Sequence, residues 1–366
     1  MQRKPVVSLL FFFLIAFLPL SVLAQEDMHL KEIAPGVEGE QGVKEEIKEY
    51  IDHHLLDSHD FSLFSYTKDN GEHVYVGFPL PVILWDDGLK VFSSSKLHHG
   101  EAVAEAGGNY YKSYHNKIYR TNAEGDINLD DHHHPTNVKP LDFSITKNVF
   151  TILIVGLLML WMFSSMAKSY KKGALPKGMG RFLEPIVLYI RDDIAIPNIG
   201  KKHYKRYMSF LLTIFFFIWI INLLGLTPLG VNVTNNIAVT FALALLTFLI
   251  TNFTANKSYW GHIFWMPGVP KLMRIVLAPI ELLGIFIKPF SLLIRLYANI
   301  TAGHIVLMSI IGLMFIFKNW IGSSLSFGLA FALALLELLV AALQAYIFTM
   351  LSALYFGQAV EEHDDH

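Results

Sequence analysis

From residue 148 onward the chain alternates long apolar runs with short polar ones. A window of about 20 apolar residues is the length needed to cross a bilayer as a helix. Residues 149–167 and 207–226 meet it, and 237–253 is shorter but adequate. Two later runs are longer than a single upright crossing: 275–317 has 43 residues without a strong polar break, and 325–356 has 32. At ~1.5 Å rise per residue these would be helices of roughly 65 and 48 Å, against a hydrocarbon core of about 30 Å. Pro279 and Pro289 can kink the first of them, but neither lies in a polar loop. The pattern therefore predicts two long, strongly tilted helices joined near "KNWIGSS" (318–324), since hydrophobic excess is accommodated by tilt. Small residues on both (Ala298, Ala302, Gly303; Ala334, Ala341, Ala345) permit close backbone approach.

The first 147 residues read differently. The opening "MQRKPVVSLLFFFLIAFLPLSVLAQ" has a basic start, an apolar core and a small residue at Ala24. That is the layout of a cleaved secretory signal over 1–24; a retained first helix is the alternative. Residues 25–147 are polar and rich in His and Gly, with strand-like stretches such as "HVYVGFPLPVILW" (73–85) and a short amphipathic helical pattern over 44–56. They predict a small, loosely ordered extracytoplasmic region of mixed structure. A tail of 357–366 follows the membrane domain (148–356). The fold class expected is an all-α polytopic membrane protein with five membrane helices and one interfacial helix, the last two membrane helices forming a long tilted hairpin.

Charge orients this arrangement. Residues 168–206 carry ten Lys or Arg, and 227–236 carry none. The positive-inside rule puts 168–206 in the cytoplasm, so the N-terminal region lies outside and the C-terminus inside. Within 168–206, the mixed polarity of "RFLEPIVLYIRDDIA" (181–195) suits the membrane interface. Composition agrees: 53% of residues are hydrophobic, 16% are charged, and mean hydropathy is +0.42. A formal charge of −2 offers no basic surplus for nucleic acid, and the absence of Cys excludes disulfide and thiolate chemistry.

Ionisable groups at membrane depth each need a reason. The first long segment has Glu281, Lys288, Arg295, Asn299 and His304; the second has Glu337 and Gln344. Glu281 and Lys288 lie near the cytoplasmic end, where snorkelling is a competing account. Arg295 has some twenty apolar-rich residues on either side, and snorkelling explains it poorly. On a helix Arg295 and Asn299 share a face, whereas His304, nine residues on, lies on the opposite face about 13 Å away. Glu337 and Gln344 share a face about 10 Å apart. In an antiparallel hairpin Gln344 comes level with Arg295, and Glu337 with His304, where acid and imidazole would meet. Arg stays protonated under all accessible conditions; it makes a barrier and a carboxylate partner. A His–Glu pair can pass protons near neutral pH, although a purely structural buried pair stays open. A polar route from outside would stop at Arg295, and a second, offset route would leave past Glu281.

The chain resembles subunit a of the F-type ATP synthases. The resemblance is carried by "RLYANITAGH" (295–304), "ELLVAALQAYIF" (337–348), "NLLGLTP" (222–228), "NNIAVT" (235–240) and "IRDDIAIPNIG" (190–200). It covers roughly 145–360. It implies a non-catalytic stator in the bacterial plasma membrane that conducts protons to and from a ring of c subunits. Peripheral-stalk b subunits and the other synthase subunits would be its partners, alongside the lipid bilayer, and no cofactor is implied. Arg295 matches the family's essential arginine, which faces the ring carboxylate. Asn299, His304, Glu337 and Gln344 match its route-lining polar positions. Many bacterial relatives have an acid where His304 stands and a His where Glu337 stands; this chain has the exchanged arrangement. Gly225 stands where some relatives place an acid, so that position lends no support to a carboxylate in the outer route.

Two other readings remain at this stage. A stand-alone secondary transporter would bind substrate at midplane, but such folds show related halves or broken helices, and neither is evident. A metal-binding or sensing protein would rest on the eleven His of 25–147, including His98-His99 and His132-His133-His134; they lack a clear ligand spacing. No phosphate-binding loop signature is present, so any ATP chemistry belongs to partner subunits.

Overall fold

The structure, a computed structural model, describes residues 57–67, 73–100, 102–130, 134–172, 178–227, 231, 233–265, 270–316 and 320–361. The expected signal segment 1–24, the amphipathic pattern at 44–56, and His132 and His133 lie outside the described residues. Two compact units divide the chain, one comprising 1–153 with 224–232 and the other 154–223 with 233–366.

The first unit is more ordered than its polar composition suggests. Among the described residues, eight strands form three small antiparallel sheets: β1 (Asp60–Thr67) with β2 (His73–Pro79); β3 (Pro81–Trp85) between β4 (Leu89–Ser93) and β8 (Leu141–Asp142); and β6 (Asn109–Tyr114) between β5 (Ala104–Ala106) and β7 (Lys117–Thr121). Period-two alternation explains how so polar a stretch builds a core: in β3, Val82 and Leu84 are buried while Pro81 and Trp85 are exposed. Val82, Leu84, Phe92, Leu97, Ala104, Tyr111 and Ile118 form one cluster. The fully buried Tyr111 is satisfied by donating its hydroxyl to Asp86 Oδ2 at 2.8 Å.

This β region is fastened to the start of the first long helix, α1 (Lys147–Lys172). Asp57 accepts from Thr146 Oγ1 at 2.9 Å and from the Asn148 backbone N–H at 3.1 Å, and the Lys147 N–H donates to the Ser58 carbonyl at 2.9 Å. These bonds use backbone donors that every helix N-terminus leaves open. Phe150 stacks edge-on against both Phe61 and Phe78. Burial pushes the Asp57 carboxyl above its ordinary pKa, against the opposing pull of Asn148 and Thr146. Burial works the same way on Asp142, but hydrogen bonds from His59 Nε2 (2.9 Å) and Ser144 outweigh it and hold that carboxyl at about 2.

The second unit is helical. After α1 come α2 (Met179–Tyr189), a π-helical turn (Ile190–Ala195), α3 (Ile196–Ile199), α4 (Tyr204–Gly225), α5 (Ile237–Thr254), α6 (Lys257–Phe264), α7 (Lys271–Ile316) and α8 (Trp320–Val360). Among the described residues, five helices are long and apolar enough to cross a membrane: α1, α4, α5, α7 and α8. The chain is a multi-pass, largely helical membrane protein. The long runs are single helices of 46 and 41 residues, and α7 continues through Pro279 and Pro289. Prolines are tolerated in membrane helices because neighbouring groups satisfy the freed carbonyls.

Polar side chains inside these helices mostly return their hydrogen bonds to their own backbone. In α5, Thr247, Thr251 and Thr254 donate to the carbonyls four residues earlier, at 2.7–3.1 Å; in α8, Thr349 and Ser352 do the same. A hydroxyl with such a partner can sit in apolar surroundings at little cost. Tyr207 joins three helices: its hydroxyl donates to Thr254 Oγ1 at 2.7 Å and its ring stacks on Phe356 with centroids 4.6 Å apart. Asn256 closes the end of α8 by donating its backbone N–H to Ala359 O (2.8 Å) and its side-chain amide to Val360 O (3.0 Å). Gly357 lies so close to the Asn198 carbonyl of α3 that a Cβ there would sit 1.9 Å from the oxygen.

Candidate functional site

Helices α7 and α8 pair with opposite chain direction. Glu337 packs on Gly303 near one end, and Lys288 Nζ donates to Gln358 Oε1 at 2.8 Å near the other. Eight residues before Gly303 is Arg295, and eight residues after Glu337 is Ala345, the neighbour of Gln344. The hairpin register therefore sets Arg295 across from the stretch holding Gln344, which is 4% exposed.

Arg295 sits on the border of two faces of α7. Leu292, Leu296 and Ile300 are buried on one side; Ala298, Asn299 and Ala302 are exposed on the other. Arg295 itself is half-buried and makes no hydrogen bond or ion pair among the described residues. It lies within electrostatic range of Tyr355 on α8. A permanent cation at membrane depth without an acidic partner among the described residues is an unbalanced charge. Asn299, one turn on, opens to the outside of the molecule beside the small residues Ala298 and Ala302.

Glu337 has both carboxylate oxygens buried without a hydrogen-bond partner. It shares a level with His304, because it rests on the preceding residue, Gly303. The two side chains nevertheless make no hydrogen bond; the carboxylate lies against Gly303, with Oε1 2.7 Å from the point where a Cβ on that residue would sit. His304 is half-buried and turned by about 100° around the helix from Gly303.

Glu281, Lys288 and Arg295 recur at intervals of seven and so form a stripe along α7. Lys288 Nζ also stands over the Tyr355 ring, 5.5 Å from its centroid. Glu281 lies within electrostatic range of Lys288 and of Tyr259 on α6. Burial, and secondarily Glu281, pushes the Tyr259 phenol above its ordinary pKa. A cleft among α5, α6, α7 and α8 is lined on its polar side by Thr247, Thr251, Asn252, Tyr259, Lys288 and Tyr355.

Sequence reasoning missed a second polar group. Thr234 Oγ1 donates to Asn222 Oδ1 at 3.0 Å, and Thr301 of α7 donates to Asn235 Oδ1. Thr301 lies between Asn299 and His304, so Asn235 reaches the candidate stretch from another element. The available signal was Asn222 at the end of an otherwise apolar helix and Asn235 at the start of the next. Among the described residues no three His, Asp or Glu gather closely enough to hold a metal ion.

Comparison with known proteins settles what kind of chain this is. The family model described as ATP synthase A chain matches residues 149–357. The chain belongs to this family. The match takes in α1 through most of α8, and with them Glu281, Arg295, Asn299, His304, Glu337 and Gln344. Among its relatives, ATP synthase subunit a of Chloroherpeton thalassium is 46% identical over 231 residues, 62% of this chain and 69% of that one. ATP synthase subunit a 2 of Chlorobaculum tepidum is 44% identical over 238 residues, 63% and 67% of the two chains. ATP synthase subunit a of Myxococcus xanthus is 43% identical over 235 residues, 62% and 77%. Residues 50–143, the β region, match a separate domain of unknown function, DUF8433.

Proposed function

We propose that the chain is the proton-conducting stator subunit of a rotary F-type ATP synthase, with Arg295 separating two offset half-channels. The observation that carries this reading is the state of Arg295. It is a membrane-embedded cation beside an exposed small-residue face, with no acid bound to it among the described residues. Its natural counter-charge is a carboxylate on another, moving subunit, the c ring.

In this mechanism a ring carboxylate is drawn to Arg295 in its charged form. A proton arriving past His304, Glu337 and Gln344 adds to the carboxylate, and the neutral acid turns into lipid. After nearly a full revolution the acid meets the inner route along Lys288, Tyr355 and Glu281 and releases its proton there. Arg295 keeps its own charge throughout and repels a proton that would cross directly between routes. The chain makes and breaks no covalent bond; ATP chemistry belongs to partner subunits, with b subunits of a peripheral stalk holding it against rotation.

Placement follows the same reading. The protein resides in a bacterial plasma membrane with the N-terminal region outside and the C-terminus in the cytoplasm. α7 and α8, at roughly 69 and 62 Å, tilt strongly to remain in a core of about 30 Å, and α2 lies along the interface.

The test is ATP-driven proton pumping and passive proton leak in vesicles carrying the assembled complex. Arg295→Ala is expected to abolish coupled pumping and to raise leak. Unimpaired coupled pumping in that variant would sink the proposal. Glu337→Gln, compared with the double exchange His304→Glu plus Glu337→His, separates a relay from a structural pair: a relay loses pumping in the first and recovers part in the second.

A further inference from the structure

One surface of the β region has no use in proton transport. The sheet β4–β3–β8 covers the core with one face only. On the other, Ile83 stands opposite Val91, and Trp85 opposite both Leu89 and Leu141. The Phe143 N–H donates to the Ile83 carbonyl at 2.9 Å, which extends the same row. Trp85, Leu89, Val91, Leu141 and Phe143 are 55–64% exposed. Five large apolar side chains on one face, rather than scattered singly, mark an interaction surface.

We propose that this face docks on the lipid bilayer surface around the outer end of α1. Three observations select lipid as the occupant. The first is continuity. Phe143 is four residues from Lys147, where α1 begins, a reach of at most about 14 Å. The chain between is not a free linker, because Asp57, Ser58, Phe61 and Phe78 all grip the first turn of α1. Exposed apolar residues of the membrane helix itself, Val149 and Leu153, follow within two turns of its start. The second is composition. A Trp and a Phe among aliphatic side chains suit the boundary between headgroups and acyl chains. The third is charge. Asp142 is held by His59, and Asp86 by Tyr111 and Asn109; Asp87, exposed in the β3–β4 turn, is paired with Arg120 at 3.5 Å. Lys139, exposed beside this row, is free to meet lipid phosphate.

The absence of native Cys allows a direct test in the full chain within its assembled complex. Leu89→Cys, Val91→Cys and Phe143→Cys are each labelled with a nitroxide, as are Glu105→Cys and Lys117→Cys as exposed controls away from this face. The complex is reconstituted in bilayers of phosphatidylcholine and phosphatidylglycerol. Power saturation then compares collision with oxygen, which concentrates in lipid, and with a water-soluble nickel chelate. The expected result is an oxygen-to-nickel accessibility ratio several-fold higher at 89, 91 and 143 than at 105 and 117. Equal ratios at all five positions would overturn the proposal and leave the face in water. Protection of the first three from both reagents would also overturn it, by showing a protein cover. If one variant fails to fold, the other two decide.

Discussion

The carboxylate of Glu337 on α8 rests on Gly303 of α7, with Oε1 only 2.7 Å from the point where any other residue would carry its Cβ. Both Glu337 oxygens are buried and unpartnered there. The glycine is therefore the part of α7 that lets the acid come this close to the helix backbone.

Gly303→Ala should push the carboxylate off this position without removing any titratable group. The Oε1 needs to move only a few tenths of an ångström from its 2.7 Å contact, well short of the ~1 Å that costs about 100-fold in rate, so coupled proton flux should fall, by no more than several-fold. Gly303→Val should be worse. The check is ATP-driven pumping in vesicles, normalised to assembled complex. Unchanged flux in both variants would show that Glu337 has no positional role.

Arg295→Lys keeps the positive charge but loses the planar fork of donors that matches a carboxylate in two places. Pumping should remain far below wild type while leak stays below that of Arg295→Ala. Full recovery in the lysine variant would mean that a point charge suffices.

Gly357→Ala tests packing rather than transport. Its new methyl group would meet the backbone carbonyl of Asn198 at 1.9 Å, and a backbone group cannot swing aside. Overpacking of this kind costs about 1–3 kcal/mol. The thermal unfolding midpoint of the detergent-solubilised complex should drop, with Gly284→Ala, where a Cβ meets nothing within 4 Å, as the neutral control.

The β region should have an acid limit of its own. The Asp142 carboxyl is held at about 2 in the folded chain, below an ordinary unfolded value of about 3.9. A depressed carboxylate pKa stabilises the fold above the unfolded pKa, and that contribution is lost as pH falls through the folded one. Stability from this group should therefore decline between about pH 4 and pH 2. Asp142→Asn should flatten the decline, followed by proteolytic nicking of the β region across that range. Asp57 works the opposite way, its carboxyl being raised by burial, and Asp57→Asn should leave this acid slope in place.

Five long apolar helices and their order were legible in the amino-acid sequence. Hydrophobic length alone dictates a crossing, and a bilayer leaves a chain few other ways to satisfy its backbone. The same arithmetic exposed Arg295, because a cation within forty apolar-rich residues has no cheap explanation. Helical spacing also sorted Arg295 with Asn299 and predicted the levels that the α7–α8 register now supports. The β region was far less legible. Its strands are short, its core residues lie distant in sequence, and cross-strand partners depend on neighbours that periodicity within one segment does not name.

Only the tertiary structure decided which polar groups meet. Sequence spacing brings His304 and Glu337 to one level, but in the structure the acid lies against Gly303 and makes no hydrogen bond to the imidazole. Thr301 meets Asn235 across a connection that no pattern within α7 could foretell. Lys288, for which snorkelling is one account from sequence, meets Gln358 and the Tyr355 ring on the opposite helix. Apolar length is a property of one segment in lipid, so the sequence determines it. Contact is a property of two segments and of the small volumes between them, and folding alone determines that.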